Sequence, residues 1–201
     1  MAVSVVLKTP PVMSVFSGLS KVNNHLFISG ARAVTEENVR NHGITAIINI
    51  TLTSPPLPLP DLEYIRILVD DSTLVDLTPH FDPVADKINE VKEKGGKTLV
   101  HCLGGASRSA TLCLVYLMKY QNMKLQDAYR YLKKCRPVVR PNNGFFSQLI
   151  EYEKKLFGES TVKMVEVPSV GPDLVVPDIF LEEYKGFVWL KSVKASLSKK
   201  E

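Results

Sequence analysis

The chain has 201 residues, 45% of them hydrophobic and 23% charged, with a formal net charge of +4. That length supports a sizeable core, the balance is ordinary for a globular chain, and no apolar run approaches transmembrane length. Three cysteines at irregular spacing give no disulfide framework and suit a reducing compartment, and the four histidines do not pair with cysteine at zinc spacing, so neither a metal nor a cofactor is expected.

Along the chain, residues 1–19 read as an N-terminal extension, in which Lys8 and Pro10-Pro11 interrupt the apolar character and Ala2 argues against N-myristoylation. Thr35 before Glu36-Glu37, with Gly43 beyond, marks a short helix. Pro55 to Pro60 is a stiff connection between two strands; a plain surface loop outweighs a PxxP ligand for an SH3 domain. Residues 64–69 are strand-like and lead into Asp70, Asp71 and Asp76. Pro79 after Thr78 begins a helix with Phe81, Val84, Ala85, Ile88 and Val91 on one apolar face, ended by Gly95-Gly96. Residues 98–100 form a strand, 110–120 a helix apolar on nearly every side and therefore buried, and two further helices carry Leu125, Ala128, Tyr129, Leu132 and Cys135, then Phe146, Leu149, Ile150 and Phe157. Strands alternating with helices predict an α/β fold, with a central, mostly parallel sheet flanked by helices. There is no internal repeat.

The most informative stretch is His101-Cys102-Leu103-Gly104-Gly105-Ala106-Ser107-Arg108-Ser109. A thiol and an arginine six positions apart are weak evidence alone, and a buried core cysteine beside a helix cap is the bland alternative. The double glycine and the arginine are left unexplained by that alternative. A strand, a glycine-bearing loop and a helix N-terminus together aim backbone N–H groups at an anion. The N–H groups of Leu103, Gly104, Gly105, Ala106, Ser107 and Arg108 would hold a phosphate, with the Arg108 fork on two of its oxygens. The same donors favour the thiolate of Cys102, whose attack on phosphorus would give a cysteinyl-phosphate. Ser109 could hydrogen-bond the sulfur and ease its departure, and His101 is expected to fix the loop by hydrogen bonding. An acid must protonate the leaving oxygen, and the loop contains none. Chemistry alone leaves Asp70, Asp71 and Asp76 as candidates, each with an ordinary turn or capping role as its alternative.

This run resembles the signature of the dual-specificity protein phosphatases, within the cysteine-based tyrosine phosphatase superfamily. Residues 26–30 are similar to the family's opening strand, 43–49 to its next strand, and Arg136-Pro137 with Arg140-Pro141-Asn142-Asn143-Gly144-Phe145 to the segment before its last catalytic helix. The likeness covers about residues 20–158, and residues 160–165 echo the atypical small subgroup that lacks a kinase-docking domain. It implies that Asp71 is the general acid, with Asp70 second. Gly104 departs from the alanine more usual at its position, which costs the unbound loop some rigidity.

The resemblance implies a catalytic domain over 20–158. The tail over 159–201, with its aromatics Phe180, Tyr184, Phe187 and Trp189, is expected from its composition to pack on the domain or in a homodimer contact, with the last ten residues disordered. The resemblance also implies a phosphatase for phosphotyrosine and phosphoserine or phosphothreonine, with MAP kinases or their upstream activators as partners. The alternatives are a phosphatase for phosphoinositides or RNA 5′-phosphates, a phosphoprotein-binding module without turnover, and a sulfurtransferase. Leu103, Gly104 and Ala106 supply none of the lysines that a polyphosphorylated lipid would call for, and a binding trap usually lacks Cys102 or Asp71. A cytoplasmic location, with the nucleus as a second compartment, no nucleic-acid partner and no stable membrane association are expected. Cys113 and Cys135 read as core residues. Lys133, Lys134, Arg136 and Arg140 read as a solvated helix end, or as a patch for acidic phosphoprotein segments.

Overall fold

The computed structural model describes residues 18–168 and 174–185. Its main sheet takes β1 (Ser20–Lys21), β2 (Leu26–Gly30), β3 (Ala46–Asn49), β4 (Glu63–Arg66) and β5 (Thr98–Cys102) in the order β1-β2-β5-β3-β4. Only β1 runs antiparallel to its neighbour; β2, β5, β3 and β4 are parallel. The mostly parallel α/β sandwich expected from the alternation of elements is therefore the observed fold.

The helices that flank this sheet are α1 (Glu36–His42), α2 (Phe81–Glu93), α3 (Arg108–Gln121), α4 (Leu125–Cys135) and α5 (Asn143–Phe157). Period-two alternation along the strands divides the core. Leu26, Ile28, Ile48 and Val100 pack against α2 to α5, while Phe27, Ile47 and Leu99 meet Val39 of α1 and Ile44 on the opposite face. Leu57 and Leu59 of the proline-rich connection lie against that second cluster, so this loop is part of the fold. Every residue of α3 from Arg108 to Met118 is buried, which matches its apolar character on all sides.

Local signals account for most boundaries. Thr35 Oγ1 accepts the Asn38 N–H at 3.2 Å to start α1, and Gly43 ends it at φ 64°. Two starts differ from expectation. Pro79 lies in a 3-10 turn, Thr78–His80, so α2 begins at Phe81. Helix α3 begins at Arg108, two residues earlier than its apolar pattern suggests, because Arg108 and Ser109 are poor markers of a helical face.

Beyond α5, β6 (Met164–Glu166) and β7 (Val175–Pro177) pair antiparallel. Phe180 follows and is fully buried against Tyr129 and Phe146, with ring centroids 5.6 and 5.1 Å apart. The described part of the tail thus packs on the domain; Phe187, Trp189, the last ten residues and residues 1–17 lie outside the described residues.

Glu153 ties this tail to the helices. It is fully buried, and its carboxylate accepts from the Leu125 N–H at 2.8 Å, the Thr161 N–H at 2.8 Å, Thr161 Oγ1 at 2.9 Å and Ser160 Oγ at 2.7 Å. Glu153→Ala strands these donors without an acceptor, so the unfolding free energy should fall by about 2–4 kcal/mol, read as a lower urea midpoint at unchanged m. Glu153→Gln keeps the shape and part of the accepting capacity, and should lose less.

Candidate active site

Strand β5 lies between β2 and β3 and ends at Cys102, whose register partner on β2 is Gly30. The chain then turns through residues 103–107 into α3. Gly105 has φ 68°, and a Cβ there would stand 2.4 Å from the Ser29 carbonyl carbon. Leu103 O accepts the Ala31 N–H at 3.0 Å, so the loop rests directly on the end of β2. Gly104 differs from Gly105: a Cβ would meet nothing within 4 Å, and its φ is not positive. Cys102 is 2% exposed, and its Sγ accepts from the Gly105 N–H and from Ser109 Oγ, each at 3.2 Å. The sulfur sits inside the ring of donors that the loop makes.

Arg108, in the first turn of α3, is buried and its Nη1 donates to Val69 O at 3.0 Å. Its Nε is buried without a hydrogen-bond acceptor; the nearest carboxylate oxygen, Asp71 Oδ2, stands 3.7 Å away. A fixed guanidinium with an unmatched N–H at the start of the helix that follows the loop is a built anion site. A second arginine shapes the loop from behind. Arg136 is fully buried, its Nε donating to Gly105 O at 2.8 Å, Nη2 to Gly104 O at 3.0 Å and Nη1 to Ser20 Oγ at 3.2 Å. Holding two successive carbonyls on the far side leaves the adjoining N–H groups to face an anion. The reading of Arg136 as part of a solvated basic helix end is corrected here. Burial pulls its pKa down, and the nearby Cys102 sulfur works against that shift.

The three acidic candidates separate clearly. Asp71 Oδ1 accepts from Ser107 Oγ at 2.7 Å and from Asn142 Nδ2 at 2.8 Å, which leaves Oδ2 facing Arg108. Asp70 accepts its neighbour's N–H, Asp71 N, at 2.8 Å, and Asp76 caps the 3-10 turn through Thr78, which draws its pKa down. β4 is an edge strand separated from β5 by β3, so its end does not neighbour the end of the central strand. The long connection from β4 to α2 brings Asp71 back over the loop. The Ser107 hydroxyl adds a tie of its own: it donates to Asp71 and accepts from the Asn142 N–H at 3.1 Å. Its backbone N–H remains part of the loop.

His101 is buried and neither ring nitrogen makes a hydrogen bond of ordinary geometry, so the expected side-chain tie to the loop is not formed; its backbone O accepts from Ile50 N at 2.9 Å. Burial holds its pKa down at about 4, so the ring is neutral at physiological pH. Leu103 and Ala106 line the loop through their backbones, with the Leu103 side chain 62% exposed. Cys113 is fully buried in α3 and burial drives its thiol pKa far up. No group of three or more His, Cys, Asp or Glu with metal-binding geometry occurs among the described residues, and none of their helices is long and apolar enough to cross a membrane. The residues that pattern reading missed are Arg136, in its buried role, and Asn142, which stands in a stretch noted only for its likeness to a family.

Residues 26–155 match the family model "Dual specificity phosphatase, catalytic domain". Human dual specificity protein phosphatase 14 is 45% identical over 167 residues, covering 83% of this chain and 82% of the relative. Human dual specificity protein phosphatase 18 is 45% identical over 170 residues, covering 84% and 88%. The crystal structure of human DUSP28 superposes with a TM-score of 0.67 at 35% identity, covering 74% of this chain and 97% of that one.

The two glycines should respond in opposite ways. Gly105→Ala drives a methyl into β2 in a left-handed conformation, and should unseat the loop and lower the rate of Cys102 alkylation by iodoacetate by at least about tenfold. Gly104→Ala has room and should leave that rate within about twofold, with a melting temperature equal or slightly higher. His101 gives a pH signature. Its folded pKa lies below the 6.5 of an exposed histidine, at about 4, so the unfolded chain alone binds a proton between those values. Its contribution to stability is constant above pH 6.5 and falls by up to about 1.4 kcal/mol per unit as the pH drops through that window. Denaturant unfolding at pH 7 and pH 5 should show the loss, and His101→Asn should shrink it.

Proposed function

Since the chain belongs to the dual specificity phosphatase family, we propose that Cys102, Arg108, Asp71 and Ser109 carry out its phosphate-ester hydrolysis in two steps. The chain is a protein phosphatase of that family. In the first step Cys102 Sγ attacks phosphorus in line with the ester oxygen, the S–P bond forms and the P–O bond breaks. The N–H groups of residues 103–108 and the Arg108 guanidinium hold the three remaining oxygens as charge redistributes. Asp71 delivers a proton from Oδ2 to the leaving oxygen, since Oδ1 already accepts two hydrogen bonds. In the second step water attacks phosphorus, Asp71 takes its proton, and the S–P bond breaks to return Cys102 and inorganic phosphate. The Ser109 hydroxyl, 3.2 Å from the sulfur, stabilises the departing thiolate.

The observation that carries this reading is the buried, unmatched Arg108 Nε facing Asp71, on the same turn of helix as the Ser109 that bonds the Cys102 sulfur. A guanidinium N–H removed from water without an acceptor is costly unless an anion completes it. Asp71 is joined to the loop through Ser107, so nucleophile, anion clamp and acid share one hydrogen-bonded unit. A sulfurtransferase would have no use for that aspartate. Between phosphoproteins and inositol phosphates, the loop favours the former, because residues 103–107 carry no cationic side chain to match a second phosphate. Phosphorylated MAP kinases or their upstream activators are the substrates we infer for it, in the cytoplasm.

Phosphate release from an aryl phosphate and from dual-phosphorylated peptides tests the assignment. Cys102→Ser should abolish turnover while retaining phosphate binding, and full activity in that variant would sink the proposal. Asp71→Ala should slow turnover by about a hundredfold or more, as loss of a general acid does. An equal loss in Asp70→Ala, with none in Asp71→Ala, moves the acid by one residue.

A further inference from the structure

The connection from Ile67 to Leu77 carries Asp71, yet it makes few hydrogen bonds of its own. Between its backbone groups there are two, Val69 N to Ile67 O and Val75 N to Ser72 O, each at 3.2 Å. Leu74, near its middle, is 94% exposed, so apolar burial does not pin it there. Ser107 Oγ and Arg108 Nη1 hold its first half through Asp71 Oδ1 and Val69 O, and the rest of what holds it lies at the start of α5. Asn142 Nδ2 donates to Asp71 Oδ1 at 2.8 Å. The Thr73 backbone rests on Gly144, where a Cβ would stand 2.0 Å from Thr73 O. One helical turn further, the Gln148 amide engages the far end of the connection with both of its atoms: Oε1 accepts the Leu77 N–H at 2.9 Å and Nε2 donates to Val75 O at 2.8 Å.

We propose that Gln148 is a positioning residue for the reaction, with Gly144 beside it: the first turns of α5 form a mount that fixes the acid-bearing connection over the phosphate loop. This rests on the reading of Asp71 as the general acid. Leu77 is fully buried, so its N–H has lost water and the Gln148 carbonyl replaces it. Glutamine suits the site because it accepts and donates from one planar group, while leucine does neither and glutamate only accepts. Each tie is to protein, so the acid's position does not depend on the substrate. A general acid displaced by an ångström loses most of its advantage, and the damage falls where the leaving group needs a proton.

That last point separates a positioning role from a merely structural one. The rate of an ester whose leaving phenol is strongly acidic depends little on the acid, whereas one whose phenol has a pKa of about 10, as in phosphotyrosine, depends on it heavily. The variants Gln148→Leu and Gln148→Glu are compared with Asp71→Ala on both kinds of aryl phosphate, with circular dichroism and the Cys102 alkylation rate followed alongside. Gln148→Leu should lower kcat/KM by about tenfold on the poor leaving group and less than about twofold on the good one, with alkylation and spectrum unchanged. Gln148→Glu, which still accepts from Leu77, should fall between it and the parent. An equal loss on both esters, or none on either, overturns the mount. If Asp71→Ala shows the leaving-group dependence and the Gln148 variants do not, the mount alone fails. If Asp71→Ala shows none, the acid assignment falls and the mount with it.

Discussion

A buried guanidinium holding two carbonyls sets the shape on which the rest of the site depends. Peptide groups in a tight loop can present either N–H or C=O to its interior, and a phosphate tolerates only the first. Arg136 takes the carbonyls of Gly104 and Gly105 on the outer side. Gly105 completes the constraint, because its left-handed backbone lies against Ser29 with no room for a side chain. Cation and glycine together explain why the loop needs a scaffold from both flanks, α4 behind it and β2 beneath it. The placement of the sulfur at the donors' focus follows from them.

Around that loop the work divides between two helix starts. The first turn of α3 supplies two reacting groups, Arg108 and Ser109, and the start of α5 with its cap Asn142 supplies the ties that aim Asp71. Ser107 joins the two sets. It stands at the N-cap of α3, yet its hydroxyl caps nothing there and donates to Asp71 instead. The first amides of α3 are therefore not masked by their own cap, which suits an anion arriving at the helix N-terminus. A polar residue in a conventional capping place has been turned to a different partner, at no loss of hydrogen bonding for itself.

The phosphate loop was legible in the sequence because its parts are contiguous: Cys102 through Ser109 can be recognised without knowing what lies nearby. The fold class was legible for a related reason, since period-two and helical apolar patterns are local. Asp71 could be narrowed to three aspartates by chemistry and to one by family likeness, but its partners could not be read. Asn142 stands 71 residues from Asp71, and the two meet only because the connection after β4 crosses an intervening strand. Arg136 was misread for the opposite reason. Next to Lys133 and Lys134 it looks like one more surface cation, but Lys133 itself turns back to Val139 O, and the Arg136 guanidinium points beneath the loop. A sequence pattern reports which face of a helix is apolar; it does not report that an arginine just past the end of that helix has two carbonyls to satisfy.

Asn142 shows how tightly the aiming function constrains residue type. Its side-chain Oδ1 accepts the Phe145 N–H at 2.9 Å, the N-cap bond of α5. Its Nδ2 donates to Asp71 at 2.8 Å, and its backbone N–H donates to Ser107 Oγ at 3.1 Å. Serine, threonine and aspartate cap helices as well as asparagine does, but none of them offers an acceptor and an amide donor on one short side chain. Aspartate would also set a second carboxylate against the first, where like charges repel. Glutamine has both atoms on a chain one carbon longer, which ranks poorly as a cap. Of the residues that could begin this helix, asparagine alone also holds the acid to the loop, so the start of α5 and the geometry of proton transfer are fixed by the same side chain.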